Sequence, residues 1–266
     1  MSIKEKYRKL SEYLKSMDSL VVAFSGGVDS AFLLKAARNV LEDRVVAFTI
    51  ASPYHLQWEV KEAISLAEEM GVKQIVRKQD GILPEIKNNP PDRCYLCKKA
   101  LFAEIVKFAG EQGFEYVADG TNADDTADYR PGIKALQELK ISSPLLETGF
   151  TKEDIRILSR EMGLPTWNKP AYACLLSRIP YGQEIGEADL RKIEKAELYM
   201  MDAGFRNVRV RLHGDMARIE VPVNERSRLF DAELLDSLAE NIKGFGFTYV
   251  TLDLQGYRTG SLNEVL

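Results

Sequence analysis

Leu20-Val21-Val22-Ala23-Phe24-Ser25-Gly26-Gly27-Val28-Asp29-Ser30 is the stretch whose reading decides the fold. A short apolar run, β-branched in its middle, stops at a serine and two glycines, and residues 31–41 resume at helical spacing. This is a buried strand, a tight turn and a helix. Glycine lets the backbone approach a phosphate closely, and the amides and dipole at a helix start favour negative charge. Ser25, Gly26, Gly27, Asp29 and Ser30 are therefore candidate phosphate-binding residues. The loop is not a Walker A motif, because the GxxxxGK[ST] spacing and its lysine are absent. A capped strand-to-helix turn without a ligand is the plain alternative, and the strand–loop–helix context weighs against it.

The same alternation runs outward from this stretch. Ile3, Tyr7, Leu10, Leu14 and Met17 place an amphipathic helix before it. After it come a strand at 44–50, a helix at 58–70, a strand at 73–76, a helix at 98–112, a strand at 116–118 and a helix at 151–162 with Thr151 as N-cap. The pattern specifies an α/β fold with a doubly wound, mostly parallel sheet. In such sheets ligands bind at the carboxyl ends of strands. The polar clusters 25–30 and 119–125 both fall at such ends. Beyond residue 185 the pattern is that of a smaller α+β domain, with a helix at 187–203 and a hairpin turning at Gly214-Asp215. A helix at 232–242 and a strand at 249–252 complete it. Strict alternation over 207–213 puts Val208, Val210 and Leu212 on one face and Arg209, Arg211 and His213 on the other, which is expected to be exposed. The expected domains are 1–168, a cysteine-bearing connection at 169–184, and 185–266 for substrate and oligomer contacts.

Composition excludes several classes. A chain of 266 residues with 45% hydrophobic and 29% charged residues is neither disordered nor fibrous nor a small disulfide scaffold. The net charge of −4 argues against a nucleic-acid coating protein. Met1 to Lys6 has no signal-peptide core, and no run approaches the ~18 apolar residues of a membrane span. A cytoplasmic protein without membrane or nucleic-acid partners is expected.

Cys94 and Cys97 form a CxxC just before the helix expected at Lys98. Beside Arg93, Lys98 and Lys99 their thiolates are favoured. A structural zinc needs four ligands, and the chain has three cysteines and two histidines. Incidental thiols at a helix start are the plain alternative. Cys174, between Lys169 and Arg178, reads either as a buried small residue or as a reactive thiolate. Arg209 and Arg211 project from one strand face and suit a phosphate monoester, with Arg178 and Ser177 contributing; a solvated strand face is the alternative. Glu194 and Glu197 are weaker candidates, since helix-surface glutamates are usually solvated.

SGGVDS at 25–30 resembles the pyrophosphate loop (PP-loop) of the N-type ATP pyrophosphatases, which include GMP synthetase, NAD synthetase, argininosuccinate synthetase and tRNA-thiolation enzymes. The resemblance implies cleavage of ATP between its α and β phosphates with Mg²⁺, giving an adenylylated intermediate. It makes Asp29 a catalytic candidate, places Thr49 near adenine, lets Gly120 and Asn122 shape the α-phosphate pocket, and makes Asp125 the Mg²⁺ ligand. Strand core for Thr49 and an Asx-rich loop for 119–125 stay open as alternatives. RCYLCKKALF at 93–102, DGTNADD at 119–125, RPG at 130–132, SPL at 143–145, GLPTWNKPAYACLLSR at 163–178 and GYRTGSLNEVL at 256–266 narrow it further. Together they resemble the LarE sulfur transferases of nickel-pincer nucleotide cofactor biosynthesis.

That resemblance implies a small-molecule nucleotide substrate, a pyridinium-3,5-dicarboxylate mononucleotide, whose carboxylates are adenylylated and then thiolated. One version of the family sacrifices the cysteine matching Cys174. The other holds a [4Fe–4S] cluster on three cysteines, and Cys94, Cys97 and Cys174 match it, with Cys174 the catalytic thiol. A homo-oligomer and a sulfide donor protein are further expectations. The competing readings are a tRNA 2-thiolation enzyme and a non-catalytic ATP-binding regulatory module.

Overall fold

The structure, a computed structural model, describes residues 1–127, 131–258 and 260–265. Contacts divide the chain into two compact units, each discontinuous in sequence: 1–52, 57–80 and 92–171 form the first, and 53–56, 81–91 and 172–266 the second. Arg130 of the RPG motif, and Thr259 and Leu266 of the closing motif, lie outside the described residues.

In the first unit the elements run α1 (Ile3–Lys15), β1 (Leu20–Ala23), α2 (Val28–Leu41), β2 (Val45–Ala51), α3 (Gln57–Glu69), β3 (Lys73–Lys78), α4 (Arg93–Glu111), β4 (Tyr116–Ala118), α5 (Pro131–Glu138), α6 (Pro144–Glu147) and α7 (Lys152–Glu161). The four strands are parallel, in the order β3-β2-β1-β4. The period of two sends alternate residues to opposite cores. Leu20, Val22, Val45 and Ala47 join Phe32, Leu34, Ala63, Phe150 and Ile155, whereas Val21, Phe48, Ile50 and Val117 join Ile105, Ala109 and Leu136. Helices therefore cover both faces, as the alternation of strand and helix required. Chain order reverses at β1, whose neighbours are β2 and β4. This is the topological switch point, where open α/β sheets bind ligands.

Local signals set the boundaries. Ser2 with Glu5, and Thr151 with Asp154, close capping boxes at the starts of α1 and α7. α4 begins at Arg93, five residues before the expected start, so the CxxC lies within its first turns. α2 begins at Val28 rather than Ala31 and takes Asp29 and Ser30 into its first turn. α5 and α6, both with proline at or near the start, were not anticipated.

In the second unit, α8 (Glu187–Asp202) packs on β5 (Arg209–His213), which is antiparallel to β6 (Met216–Glu220). α9 (Ala232–Gly244) leads to β7 (Tyr249–Leu252), parallel to β6. His213 pairs with Met216 across the two-residue turn, where Gly214 takes the left-handed conformation that glycine permits. The polar face of β5 is not exposed: Arg209 and Arg211 are buried. No described helix is long and apolar enough to cross a membrane.

Candidate active site

Two loops meet at the carboxyl ends of β1 and β4. Gly26, left-handed at φ +73°, lies so close to α3 that a Cβ would stand 2.8 Å from the Ala63 Cβ. Gly27 is the N-cap of α2 and offers no side-chain acceptor, so the first amides of α2 carry no side-chain cap. Those amides and the positive end of the helix are what an anion would use. Ser25 Oγ and Ser30 Oγ are 3.2 Å apart, and Ser30 Oγ also donates to the Gly27 carbonyl at 3.2 Å. The hydroxyls thus line the loop.

From β4, Gly120 reaches the first turn of α2, where a Cβ would stand 2.9 Å from the Ser30 nitrogen. Asn122 Nδ2 donates to Asp29 Oδ1 at 3.3 Å, and Lys152, the first residue of α7, pairs with Asp29 Oδ2. The Lys152 amide donates to Asp124 Oδ2 at 2.7 Å. Asp119 is buried, accepts from Thr121 and Ser143, and has Lys98 Nζ at 3.9 Å. Glycine loop, β4 loop and α7 start are therefore joined through one carboxylate, that of Asp29. Lys152 was not anticipated, yet the sequence carries a signal: a cation at the start of a helix opposes the dipole and calls for an acidic partner.

Other residues take quieter places. Thr49 donates its hydroxyl to the Phe24 carbonyl at 2.6 Å and accepts from Gln74, tying β1 to β2. Asp125 Oδ2 accepts from the Asn122 amide at 3.0 Å, an Asx-type loop contact. Cys94 is exposed and Cys97 half-buried, one helical turn apart on α4, and neither they nor Cys174 form a disulfide. Among the described residues no three His, Cys, Asp or Glu side chains converge as metal ligands. Cys94 and Cys97 thus offer a pair of thiols on one turn of α4.

The second unit builds a charged scaffold around Cys174. Arg178 is fully buried and donates through Nε and Nη2 to both carboxylate oxygens of Glu197 at 2.8 Å. Its Nη1 donates to the carbonyls of Ala173 at 2.7 Å and Cys174 at 3.1 Å, and to Ser177 Oγ at 2.8 Å. Burial alone would pull this guanidinium down, but Glu197 outweighs it and holds it above its ordinary pKa. Arg211 pairs in the same two-point way with Glu220 and donates to the Ser177 carbonyl at 2.6 Å. Arg209 lies over the Tyr257 ring, and burial followed by the charge of Arg178 pulls its pKa down. Glu197 and Glu194 are buried and not solvated as expected, because Arg178 and Arg191 pair with them. Lys169, expected beside Cys174, instead turns its ammonium to Glu62 and the Gly26 carbonyl.

A family model described as NAD synthase matches residues 2–103. The chain is 40% identical over 256 residues to pyridinium-3,5-bisthiocarboxylic acid mononucleotide synthase of Lactiplantibacillus plantarum, covering 95% of this chain and 92% of that one. It is also 40% identical to an uncharacterised Synechocystis protein over 99% of both chains. To the glutamine-hydrolysing GMP synthase of Aeropyrum pernix it is 25% identical, over 56% of this chain and 33% of that one.

Proposed function

The chain belongs to the family of pyridinium-3,5-bisthiocarboxylic acid mononucleotide synthase, and on that premise we propose an ATP-dependent sulfur transferase acting on the carboxylates of a pyridinium-3,5-dicarboxylate mononucleotide. The observation that carries the reading is the uncapped start of α2 after the glycine loop, joined to the β4 loop through Asp29 at the switch point of the sheet. A substrate carboxylate oxygen attacks the α-phosphorus of ATP, and the bond to pyrophosphate breaks. The first amides of α2, with Ser25 and Ser30, take up the charge that develops on the leaving group. Lys152 neutralises Asp29 and adds a cation beside the phosphates. A sulfur nucleophile then attacks the acyl carbon and AMP leaves. Sulfur delivered as hydrosulfide gives the thiocarboxylate directly, whereas attack by the Cys174 thiolate gives a thioester whose Cβ–S bond must then break by elimination, leaving the thiocarboxylate and dehydroalanine at position 174.

Cys174 is the catalytic thiol of this proposal, carried on a loop that Arg178 grips by two carbonyls. The substrate phosphate is assigned to Arg209, Arg211 and Ser177, whereas Arg178, expected to contribute, is fully buried with its donors committed to Glu197 and residues 173–177 and acts by holding that loop. Thr49, Gly120 and Asn122 complete the ATP site. Mg²⁺, for which Asp125 is the candidate, and a [4Fe–4S] cluster, for which Cys94, Cys97 and Cys174 are the candidates, would supply charge neutralisation and a transferable sulfide. A homo-oligomer and a sulfide donor protein belong to the same proposal.

The test is Cys174→Ala against Asp29→Ala. Cys174→Ala is expected to release pyrophosphate in the presence of the pyridinium substrate and to form no thiocarboxylate, whereas Asp29→Ala loses both. Equal loss of pyrophosphate release in the cysteine variant overturns the division of labour. Release stimulated only by tRNA overturns the assignment of substrate.

A further inference from the structure

The peptide between Gly26 and Gly27 is the softest in the phosphate-binding loop. With no Cβ on either side, its plane can rotate at little steric cost. Its direction nevertheless decides what the loop binds. In a trans peptide the carbonyl and N–H point opposite ways, so one orientation aims the Gly27 N–H into the loop and the other aims the Gly26 carbonyl there, against an anion.

The structure holds this plane from outside. Lys169 Nζ is 3.3 Å from the Gly26 carbonyl oxygen. The ammonium is itself fixed by Glu62 at 2.8 Å and Glu59 at 3.5 Å, and lies 5.3 Å over the ring centre of Trp58. Its side chain is only 11% exposed. The backbone behind it is pinned as well, since Arg156 donates to the carbonyls of Trp167 and Lys169 at 2.7 and 2.8 Å. On the other side of the peptide the Gly27 N–H meets Ser25 Oγ at 3.3 Å, a long bond beside Ser30 Oγ. A phosphate oxygen, as a charged acceptor, would take that N–H in a stronger bond.

We propose that Lys169 is a positioning residue of the phosphate-binding loop: by holding the Gly26 carbonyl outward it keeps the Gly27 N–H aimed at the pyrophosphate group of ATP. Glu59, Glu62 and Trp58 form the seat of the ammonium and set its reach. Lys169 touches no substrate in this role. The inference rests on reading the glycine loop as the pyrophosphate site.

The experiment is calorimetric titration of the full-length enzyme with inorganic pyrophosphate and Mg²⁺, beside a thermal melt. Lys169→Met removes the cation and is expected to weaken binding about tenfold, the loss of one charge-assisted contact, with the melting temperature unchanged. Lys169→Arg keeps a donor and is expected to recover most of the affinity. Binding by Lys169→Met within twofold of the wild type overturns the proposal, as does weakened binding that Lys169→Arg fails to restore. Should Lys169→Met not fold, Glu59→Gln with Glu62→Gln loosens the seat instead; threefold or greater weakening supports the proposal and unchanged binding overturns it. A wild-type enzyme that does not bind pyrophosphate defeats the reading of the loop itself, a separate result.

Discussion

Gly120 brings the β4 loop close against the first turn of α2, and replacing it with alanine measures that contact. The added methyl would stand 2.9 Å from the Ser30 nitrogen and 3.2 Å from both the carbonyl carbon and the Cβ of Asp29. These are atoms of the first turn of α2, which cannot swing aside as a side-chain tip can. Comfortable carbon contacts lie near 3.5–4.0 Å, so the β4 loop must retreat by about half an ångström. Overpacking of this kind costs about 1–3 kcal/mol. At about 2 kcal/mol, a unit of this size melts about 4–8 °C lower. The functional loss is expected to be larger than the fall in stability suggests. A retreat of about half an ångström parts Asn122 from Asp29, whose 3.3 Å hydrogen bond is already long. Misplacement by about 1 Å can cost about 100-fold in rate, so a loss of about tenfold in pyrophosphate release is expected.

Gly110 supplies the control. It lies within α4 and a Cβ there meets nothing within 4 Å. Gly110→Ala should therefore stabilise by about 0.5–1 kcal/mol through helix propensity and leave turnover unchanged. Melts and a coupled pyrophosphate assay on both variants decide the matter. Pyrophosphate release by Gly120→Ala within twofold of the wild type, at an unchanged melting temperature, would refute the claim that these loops jointly form the site.

Glu197→Gln leaves the fully buried Arg178 without its counter-charge, and urea unfolding should show a loss of about 3 kcal/mol; a loss below about 1 would deny the pair its structural role. Asn89 sits at φ +46° and donates to the carbonyls of Ile179 and Pro180 at 2.7 and 2.9 Å. Asn89→Gly keeps that backbone but frees residues 179–180, so iodoacetamide should label Cys174 several-fold faster, read by mass spectrometry; an unchanged rate contradicts this. The His213 pKa is held below its ordinary 6.5 by burial, then by Arg218 and Arg211, with Glu220 opposing them. The unfolded chain therefore takes up a proton near pH 6.5 that the folded one refuses. Stability is full above that pH and falls as the pH drops below it. His213→Gln should flatten the dependence of melting temperature on pH between 7.5 and 5.5, and equal slopes in the two proteins would count against it.

The frame of the first unit was legible because a period of two and a period of 3.6 leave different marks, and Leu20 to Leu41 shows both. Boundaries were less so. α4 starts at Arg93 although Pro90, Pro91 and Asp92 precede it and its own first turn, Arg93-Cys94-Tyr95-Leu96, carries no acidic residue and no side-chain cap. Propensity alone therefore favoured a later start at Lys98. α5 and α6 are short, and short helices draw their stability from packing rather than from propensity. Leu136 and Leu145 are buried, and burial of that kind is invisible in a window of eight residues. The pairing of Lys152 with Asp29, 123 residues apart in the chain, lies beyond any local pattern.

The arginines of the second unit make the same point about charge. Alternation correctly put Arg209, Arg211 and His213 on one face of β5, but the inference that a polar face is exposed fails wherever opposite charge is present to bury with it. Here Glu220 on β6, across the hairpin, buries with Arg211, and Glu197 on α8 buries with Arg178. This changes what the arginines contribute. A guanidinium already holding a carboxylate by two hydrogen bonds adds little net field for an incoming phosphate. It still carries further donors in a rigid plane. Arg178 spends them on the carbonyls of Ala173 and Cys174, and Arg211 on that of Ser177. Removing Arg211 should accordingly disturb the conformation of residues 173–177, and with it the presentation of the Cys174 thiol, as much as it weakens any hold on the substrate phosphate.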